Sequence, residues 1–286
     1  MLREIRDLGF DYAELSHGIR ISLLPGIFEA VDAGEIKIST LHNFCPLPMG
    51  VTQAAPNLYR FSADDPRERE NAFRHSIKTI ETAARVQARA VVLHMGSIEM
   101  KEYTDKLLDL IRAGKKESSK FEKLSEEVFE KREQKKEHYV ERSSEMLRRL
   151  IEPAATRGIK LGVENREALE EIPLDADFSL LFREFPTETV GYWHDTGHAQ
   201  IKENLGFINH AIQLETHADR LLGMHVHDVE YPGKDHRRPG SGMIDFAALQ
   251  PMIKPEHMKV FEFSPSLSTE DARLGIAHIK NLWGND

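Results

Sequence analysis

Short apolar runs alternate along the chain with longer segments of helical periodicity. The runs are seven: YAELS from Tyr12, KISTLH from Lys37, AVVLHMG from Ala90, KLGVEN from Lys160, VGYWHD from Val190, LLGMHVHD from Leu221 and KVFEFS from Lys259. Runs of this length that are rich in β-branched and other apolar residues are typical of buried strands. Strands that alternate with helices predict repeated βα units around a parallel sheet.

The segments between the runs carry apolar residues at helical spacing. In the segment 69–86, Phe73, Ile77 and Ile80 share one face, and the segment 271–283 also has a helical pattern. The chain opens on a helical pattern, LREIRDLGF, where an eight-unit barrel would have its first strand. The predicted fold is therefore an α/β TIM (β/α)8-type barrel that lacks the usual first strand. A chain of 286 residues fits one such domain over 1–286.

The segment 101–150 is far longer than an ordinary βα connection and has neither Gly nor Pro between Lys115 and Glu152. Its Lys/Arg and Glu residues nearly balance, and pairs such as Glu127 and Lys131 stand at helical spacing. We predict a charged helical insertion of one or two helices with a solvated face. It follows the strand ending at His94, so a lid or a subunit contact in a homo-oligomer stays open as its role.

Composition narrows the classes of protein that fit this pattern. A hydrophobic share of 40% and a charged share of 30%, without a long apolar run, predict a globular protein with no membrane role. The opening residues lack the features of a secretory signal, so we expect a cytoplasmic location. A formal charge of -9 disfavours a nucleic-acid partner. With Cys45 as the single cysteine, a metal site must use nitrogen and oxygen ligands, which 14 histidines and the carboxylates supply.

Polar side chains stand at the ends of the predicted strands, which in a parallel barrel converge at one mouth. The candidates are His42, His94, Glu164, Asp195, His198, His225, His236 and Glu262. Together they suit a divalent cation such as Mn²⁺, Mg²⁺, Co²⁺ or Zn²⁺, and buried carboxylates at one point would repel without one. Taken alone, a histidine among them fits a hydrogen-bonded core or surface residue better than a ligand, and Glu164 also fits an ion-paired carboxylate. Six or more at successive strand ends favour a metal site.

The runs VVLHMGS, GVENRE, WHDTGHAQ, MHVHD, DHRRPGSGMIDF and FEFSP, in that order, resemble the xylose-isomerase-like TIM-barrel superfamily, which includes sugar isomerases and epimerases, inosose dehydratases and endonuclease IV. The resemblance covers nearly all of the chain outside 101–150. Its most specific element is DTGH followed by HVHD. Asp228 fixes how HVHD aligns with the family motif, so that its first histidine, His225, takes the ligand position and His227 is accessory. The metal ligands that the resemblance implies are Glu164, Asp195, His225 and Glu262. Candidate ligands of a second metal are His42, His94, His198 and His236.

The resemblance implies a metal-dependent isomerase or epimerase of a sugar or sugar phosphate. In such enzymes a metal-stabilised enediolate forms, and carboxylates move a proton on and off the neighbouring carbon. Glu164 and Glu262 would be the catalytic pair, one for each face of the intermediate. The predicted substrate contacts are His94, Arg166, His198 and Arg237. For the two arginines, an ordinary surface position on a loop is the alternative.

Two other functions remain open at this stage. The first is an endonuclease IV-like zinc phosphodiesterase that acts on abasic DNA, because the eight strand-end residues match that family's metal cluster. Lys234 departs from the pattern, since it stands where that family has an aspartate and Asp235 is displaced by one. A lysine there would repel a third cation. The second alternative is a non-catalytic barrel that binds a metal and a sugar.

Overall fold

Strands and helices alternate along residues 2–51 and 57–284, which a computed structural model describes. The strands are β1 (Tyr12–Leu15), β2 (Lys37–His42), β3 (Ala90–Leu93), β4 (Lys160–Glu164), β5 (Val190–Asp195), β6 (Leu221–Val226), β7 (Asp228–Glu230), β8 (Lys234–Arg237) and β9 (Met258–Phe261). The helices are α1 (Leu2–Asp7), α2 (Leu24–Asp32), α3 (Pro66–Arg85), α4 (Thr104–Arg112), α5 (Ser119–Ala155), α6 (Asp175–Glu184), α7 (Thr196–Leu205), α8 (His210–His217), α9 (Phe246–Leu249) and α10 (Thr269–Trp283).

Seven of these strands form one sheet in the order β1-β2-β3-β4-β5-β6-β9, and each comes from one of the predicted runs. The pairs β1–β2, β2–β3, β3–β4, β5–β6 and β6–β9 are parallel. Parallel strands that follow chain order and alternate with helices make the TIM-barrel type of α/β fold, as predicted. Within the described residues the sheet has seven strands where a complete barrel has eight, and α1 precedes β1.

The sixth predicted strand differs from the observed one at its end. The sequence predicted a strand from Leu221 to Asp228, but β6 ends at Val226. Asp228 instead opens β7, which pairs with β8 as an antiparallel hairpin. The residues Tyr231, Pro232 and Gly233 make the turn between them, in keeping with the preference of Pro and Gly for turns.

The chain divides into two compact units. The first unit comprises Met1–Gly96, Glu141–Glu164 and Leu181–Gly191, and the second unit comprises Ser97–Val140, Asn165–Leu180 and Tyr192–Asp286. Each has a buried apolar core. The core of the first unit includes Leu15, Ile38, Leu41, Val91 and Leu161, and that of the second includes Trp193, Met224, Val226 and Phe246. The single domain expected over 1–286 stays a prediction.

Two helices, α4 and α5, fill the predicted insertion. The second of them is 37 residues long and runs past residue 150 to Ala155. Most of its charged residues are exposed, as predicted, but Arg132 is only 2% exposed. The prediction of a solvated face is therefore wrong at this residue, which makes buried hydrogen bonds described below. No helix among the described residues is long and apolar enough to span a membrane.

Candidate metal centre

Three predicted ligands of the second unit converge at the ends of neighbouring strands. Asp195 is the last residue of β5, His225 pairs with it in β6, and Glu262 directly follows β9. Nδ1 of His225 lies 3.2 Å from Oε2 of Glu262 and 3.6 Å from Oδ2 of Asp195. The side chains of Asp195 and His225 are fully buried, whereas 31% of the Glu262 side chain is exposed.

The spacing of these three groups fits a divalent cation. Their ligand atoms all lie within 4.8 Å of one another. Two ligands that are each about 2.1 Å from one cation stand roughly 3.0 to 3.4 Å apart, which is close to the two distances from His225. One imidazole nitrogen facing two carboxylates can donate only one proton, so a cation satisfies both carboxylates better than a hydrogen bond does. Two carboxylates and an imidazole suit Mn²⁺, Mg²⁺, Co²⁺ or Zn²⁺.

Asp195 is held as a carboxylate by its surroundings. As the N-cap of α7, it accepts the backbone N–H of His198 at 2.7 Å, where the helix dipole favours negative charge. Burial opposes its ionisation, but the imidazoles of His198 and His227 and the hydrogen bonds from His225 and His227 keep its pKa well below the usual range. The carboxylate is therefore ionised and ready to bind a cation at neutral pH.

His227, which the sequence left as accessory, orients Asp195. Its Nδ1 accepts the backbone N–H of His236 at 2.9 Å, so its Nε2 carries the proton and donates to Asp195 at 3.1 Å. Its backbone pairs with the hydroxyl of Thr196 through both N–H and C=O. Gly197 makes room for the ring, because a Cβ there would lie 2.0 Å from Cε1 of His227.

The β7–β8 hairpin brings His236 to the same centre. His236 has a positive φ of 51°, which is uncommon for a residue with a side chain. Its Nδ1 lies 3.1 Å from Asp235 and its Nε2 lies 3.6 Å from Glu262. Burial opposes protonation, but these two carboxylates raise the pKa of His236 to about 11. Burial also opposes ionisation of Glu262, whose pKa the imidazoles of His225 and His236 nevertheless lower.

A second group of potential ligands in the same unit consists of Glu167, His198 and Asp235, with ligand atoms within 4.8 Å of one another. The displaced Asp235 thus still lies near His198. Lys234, expected to repel a cation, has a 64% exposed side chain and lies 3.8 Å from Glu230. Burial, together with Asp235 and Glu171, raises the pKa of Glu167.

The two predicted substrate arginines differ in their surroundings. Arg166 is only 6% exposed, so the alternative interpretation of this residue as an ordinary surface arginine is wrong. Its Nε donates to Glu171 at 3.1 Å, and its Nη1 lies 3.5 Å from Nδ1 of His198. Arg237 is more exposed and pairs with Glu230 at 3.0 Å in the hairpin. Contact of either arginine with a substrate stays a prediction.

The first unit holds its own group of predicted residues. Nε2 of His94 lies 2.6 Å from Oε2 of Glu164, and Nε2 of His42 lies 3.6 Å from the same oxygen. The rings of His42 and His94 are nearly perpendicular, with centroids 4.5 Å apart. His17, which the sequence analysis missed, adds a third ring 4.9 Å from His42. All of these groups except His17 are buried, so a carboxylate and two imidazoles converge here.

Three further residues, Glu167, Glu171 and Arg132, could not be predicted from the sequence. Glu167 is the last residue of the recognised motif GVENRE and Glu171 follows four residues later, but neither is at a strand end. Arg132 lies in a run of similar charges, where no periodicity marks a buried member. Only the fold brings these residues to the site.

Comparisons with known proteins agree with this fold. One curated relative, Uncharacterized protein y4fM of Sinorhizobium fredii, is 29% identical over 174 residues, which is 61% of this chain. The match spans 46% of that relative, so less than half of its length is represented.

Solved structures with similar folds include several sugar epimerases. A D-tagatose 3-epimerase-like protein is 17% identical with a TM-score of 0.70, covering 98% of this chain and 91% of its own. A 3-keto-D-glucoside 4-epimerase from E. coli is 16% identical, with a TM-score of 0.66 over 98% of this chain and 92% of its own. D-psicose 3-epimerase from Clostridium cellulolyticum H10 is 14% identical, with a TM-score of 0.67 over 99% and 93%. At these identities the likeness shows the fold.

The family follows from the sequence match. The family model described as "Xylose isomerase-like TIM barrel" matches residues 2–281, which is nearly the whole chain. This match agrees with the strand order and with the resemblance carried by the DTGH and HVHD motifs. The chain belongs to the xylose isomerase-like TIM-barrel family.

Proposed function

We propose that this chain is a divalent-metal-dependent sugar epimerase or isomerase. The observation that carries the proposal is the convergence of Asp195, His225 and Glu262, whose ligand atoms lie within 4.8 Å of one another. Family membership supports it, as do the similar folds of structures titled as sugar 3-epimerases and a 4-epimerase. Glu164, which ends β4, is proposed as the fourth ligand on the strength of the sequence motif.

Two of the proposed ligands only bind the cation, and a third also acts as the catalytic base. A bound divalent cation would polarise the sugar carbonyl and make the adjacent C–H acidic. Asp195 and His225 are fully buried and are proposed to hold the cation. Glu262 is the ligand of the second unit with an accessible side chain, 31% exposed. As an ionised carboxylate that is accessible, it can accept the proton from carbon as a general base.

Epimerisation requires a second group that delivers a proton to the opposite face of the carbon. We assign this role to Glu164, as the sequence predicts. Its oxygen lies 2.6 Å from Nε2 of His94, so that imidazole can donate a hydrogen bond to it or share its proton. We propose His94, His198, Arg166 and Arg237 as groups that orient the sugar hydroxyls.

Substitution of Glu262 tests the proposed base. The protein is incubated with Mn²⁺ in D₂O with D-fructose or D-tagatose, and deuterium incorporation at C3 is followed by NMR. Glu262→Gln keeps the size and one oxygen ligand but cannot accept the proton. We expect exchange to fall by about 10²- to 10⁴-fold. Glu145→Gln, an exposed glutamate of α5, should exchange as the unmodified protein does. Undiminished exchange by Glu262→Gln would rule out its role as the base.

Metal content separates this proposal from the endonuclease IV-like alternative. The groups around Glu164 and around His198 favour that alternative, because they offer ligands beyond those that one cation needs. We expect purified protein loaded with Mn²⁺ to retain activity with one tightly bound ion per chain. Three bound zinc ions, together with incision of a duplex containing an abasic site, would support the phosphodiesterase instead.

A further inference from the structure

The long helix α5 buries one arginine among its many exposed charges. Arg132 is 2% exposed, and both terminal nitrogens of its guanidinium donate hydrogen bonds. Its Nη1 donates to the carbonyl oxygens of Leu169 and Glu171, both at 2.8 Å, and its Nη2 donates to Asp177 at 2.8 Å. All three acceptors belong to the segment that joins β4 to α6 or to the start of α6. Arg132 therefore fastens this segment, residues 165–177, to the insertion.

The other helix of the insertion holds the same segment. The N-terminus of α4 is bound by Glu170, which accepts the backbone N–H of Thr104 at 3.0 Å and its hydroxyl at 2.7 Å. In return, the hydroxyl of Thr104 accepts the N–H of Leu169 at 2.8 Å. The carbonyl oxygen of Glu170 accepts the N–H of Ile98 at 2.8 Å. Residues of 165–177 are thus hydrogen-bonded to both inserted helices and, through Ile98, to the chain that precedes them.

Glu171 connects this anchor to the candidate site. Its carbonyl oxygen is bound by Arg132, while its side chain accepts Nε of Arg166 at 3.1 Å and the N–H of Ala168 at 3.2 Å. Arg166 lies beside His198, whose Nδ1 donates to the carbonyl oxygen of Asn165 at 3.0 Å. A displacement of Glu171 would therefore shift Arg166.

We propose that Arg132 is a positioning residue, through which the insertion fixes Arg166 for contact with the sugar. A buried charge is costly unless it is paired, and here Asp177 and two carbonyl oxygens pair Nη1 and Nη2, which a helix that only covered the surface would not need. Only a guanidinium supplies several donors in one plane, which suits two carbonyls and a carboxylate. The assignment of Arg166 to the sugar rests on the proposed function, whereas the anchoring of 165–177 does not.

Hydrogen exchange followed by mass spectrometry tests the anchoring by itself. In Arg132→Met, we expect backbone amides of 165–177 to exchange at least ten-fold faster, while peptides covering β5 and β6 keep their protection. Lys131→Met, at the exposed neighbouring position, should leave 165–177 unchanged. If Arg132→Met does not fold, Arg132→Lys serves instead, since it keeps the charge but not the fork. Unchanged exchange in 165–177, or equal acceleration everywhere, would overturn the proposal.

Steady-state kinetics test whether Arg132 affects binding of the sugar. With whichever of D-fructose or D-tagatose the unmodified protein converts, we expect Arg132→Lys to raise KM about ten-fold and to change kcat less than two-fold. Affinity for Mn²⁺, measured by calorimetry, should stay the same because Arg132 makes no contact with the three ligands. A loss of Mn²⁺ affinity in parallel with KM would indicate general damage and overturn the positioning role.

A double-mutant cycle decides whether the effect passes through Arg166. In an Arg166→Met background, Arg132→Lys should cause no further rise in KM, since the group that it positions is gone. Additive effects would overturn the connection. If the unmodified protein converts neither sugar and shows no exchange at C3, the proposed function and the step to the sugar both fail. The hydrogen-exchange result would then still support or refute the anchoring.

Discussion

At the scale of single residues, Gly197 is a small residue on which the position of a proposed metal ligand, Asp195, depends. The ring of His227 occupies the space where any other residue at 197 would place its Cβ. That ring donates to Asp195, so it orients a proposed ligand. Partners of this kind typically change metal affinity by 10- to 100-fold when they are lost.

Gly197→Ala should therefore weaken metal binding. The added Cβ, 2.0 Å from Cε1 of His227 in the present arrangement, forces the ring away from Asp195. We expect affinity for Mn²⁺ to fall about 10- to 100-fold by calorimetry, with the helical content unchanged by circular dichroism. Gly26→Ala, in α2 with open space around its Cβ, is the matched control and should bind Mn²⁺ normally. Normal affinity in Gly197→Ala would refute the role of His227.

The sequence predicts some residues of the candidate metal centre and its surroundings but not others, and the difference has a physical reason. Asp195, His225 and Glu262 could be predicted because parallel strands end at one edge, and strand ends are visible in the apolar pattern. Arg132 and Glu171 could not, because their importance depends on which distant segment each one meets. A buried arginine in a charged helix has the same sequence signature as an exposed one.

At the scale of elements, the β7–β8 hairpin depends on one buried carboxylate. Asp228 is fully buried and accepts four backbone N–H groups: those of Val229, Gly240, Gly242 and Ile244, at 2.8 to 3.1 Å. These bonds fasten the segment that follows β8 to the start of β7. The apolar run predicted one strand as far as Asp228, because a run of that kind does not reveal that the chain turns back.

Asp228→Asn should destabilise the protein by about 3 kcal/mol. The amide brings a donor to a place where only acceptors are satisfied, and it removes the charge that strengthens each bond. Urea unfolding followed by circular dichroism should show a lower midpoint with an unchanged slope. Asp109→Asn, whose side chain is 72% exposed, should shift the free energy of unfolding by no more than about 0.5 kcal/mol. Equal stability of the two variants would contradict the structural role of Asp228.

At the scale of the whole molecule, buried histidines couple folding to pH. His210 and His194 face each other with Nε2 atoms 2.9 Å apart, and the hydroxyl of Tyr192 lies 2.9 Å from Nδ1 of His194. Burial of the ring lowers the pKa of His210 to about 3, and burial followed by the nearby His210 lowers the pKa of His194 as well. Both rings are neutral in the folded protein, where one donates its proton to the other.

The stability of the metal-free protein should consequently fall in mild acid. Below the ordinary histidine pKa of about 6.5 the unfolded chain binds a proton at residue 210, whereas His210 of the folded protein stays neutral down to about pH 3. The free energy of unfolding therefore decreases as the pH falls from about 6.5 to about 3. Between pH 6 and 5, in EDTA, we expect unmodified protein to lose about 1 kcal/mol more than His210→Gln does in urea unfolding. His138→Gln, at an exposed position, should follow the unmodified curve. Parallel curves for all three proteins would show that His210 is protonated equally in the folded and unfolded states, which a buried pair of neutral imidazoles does not allow.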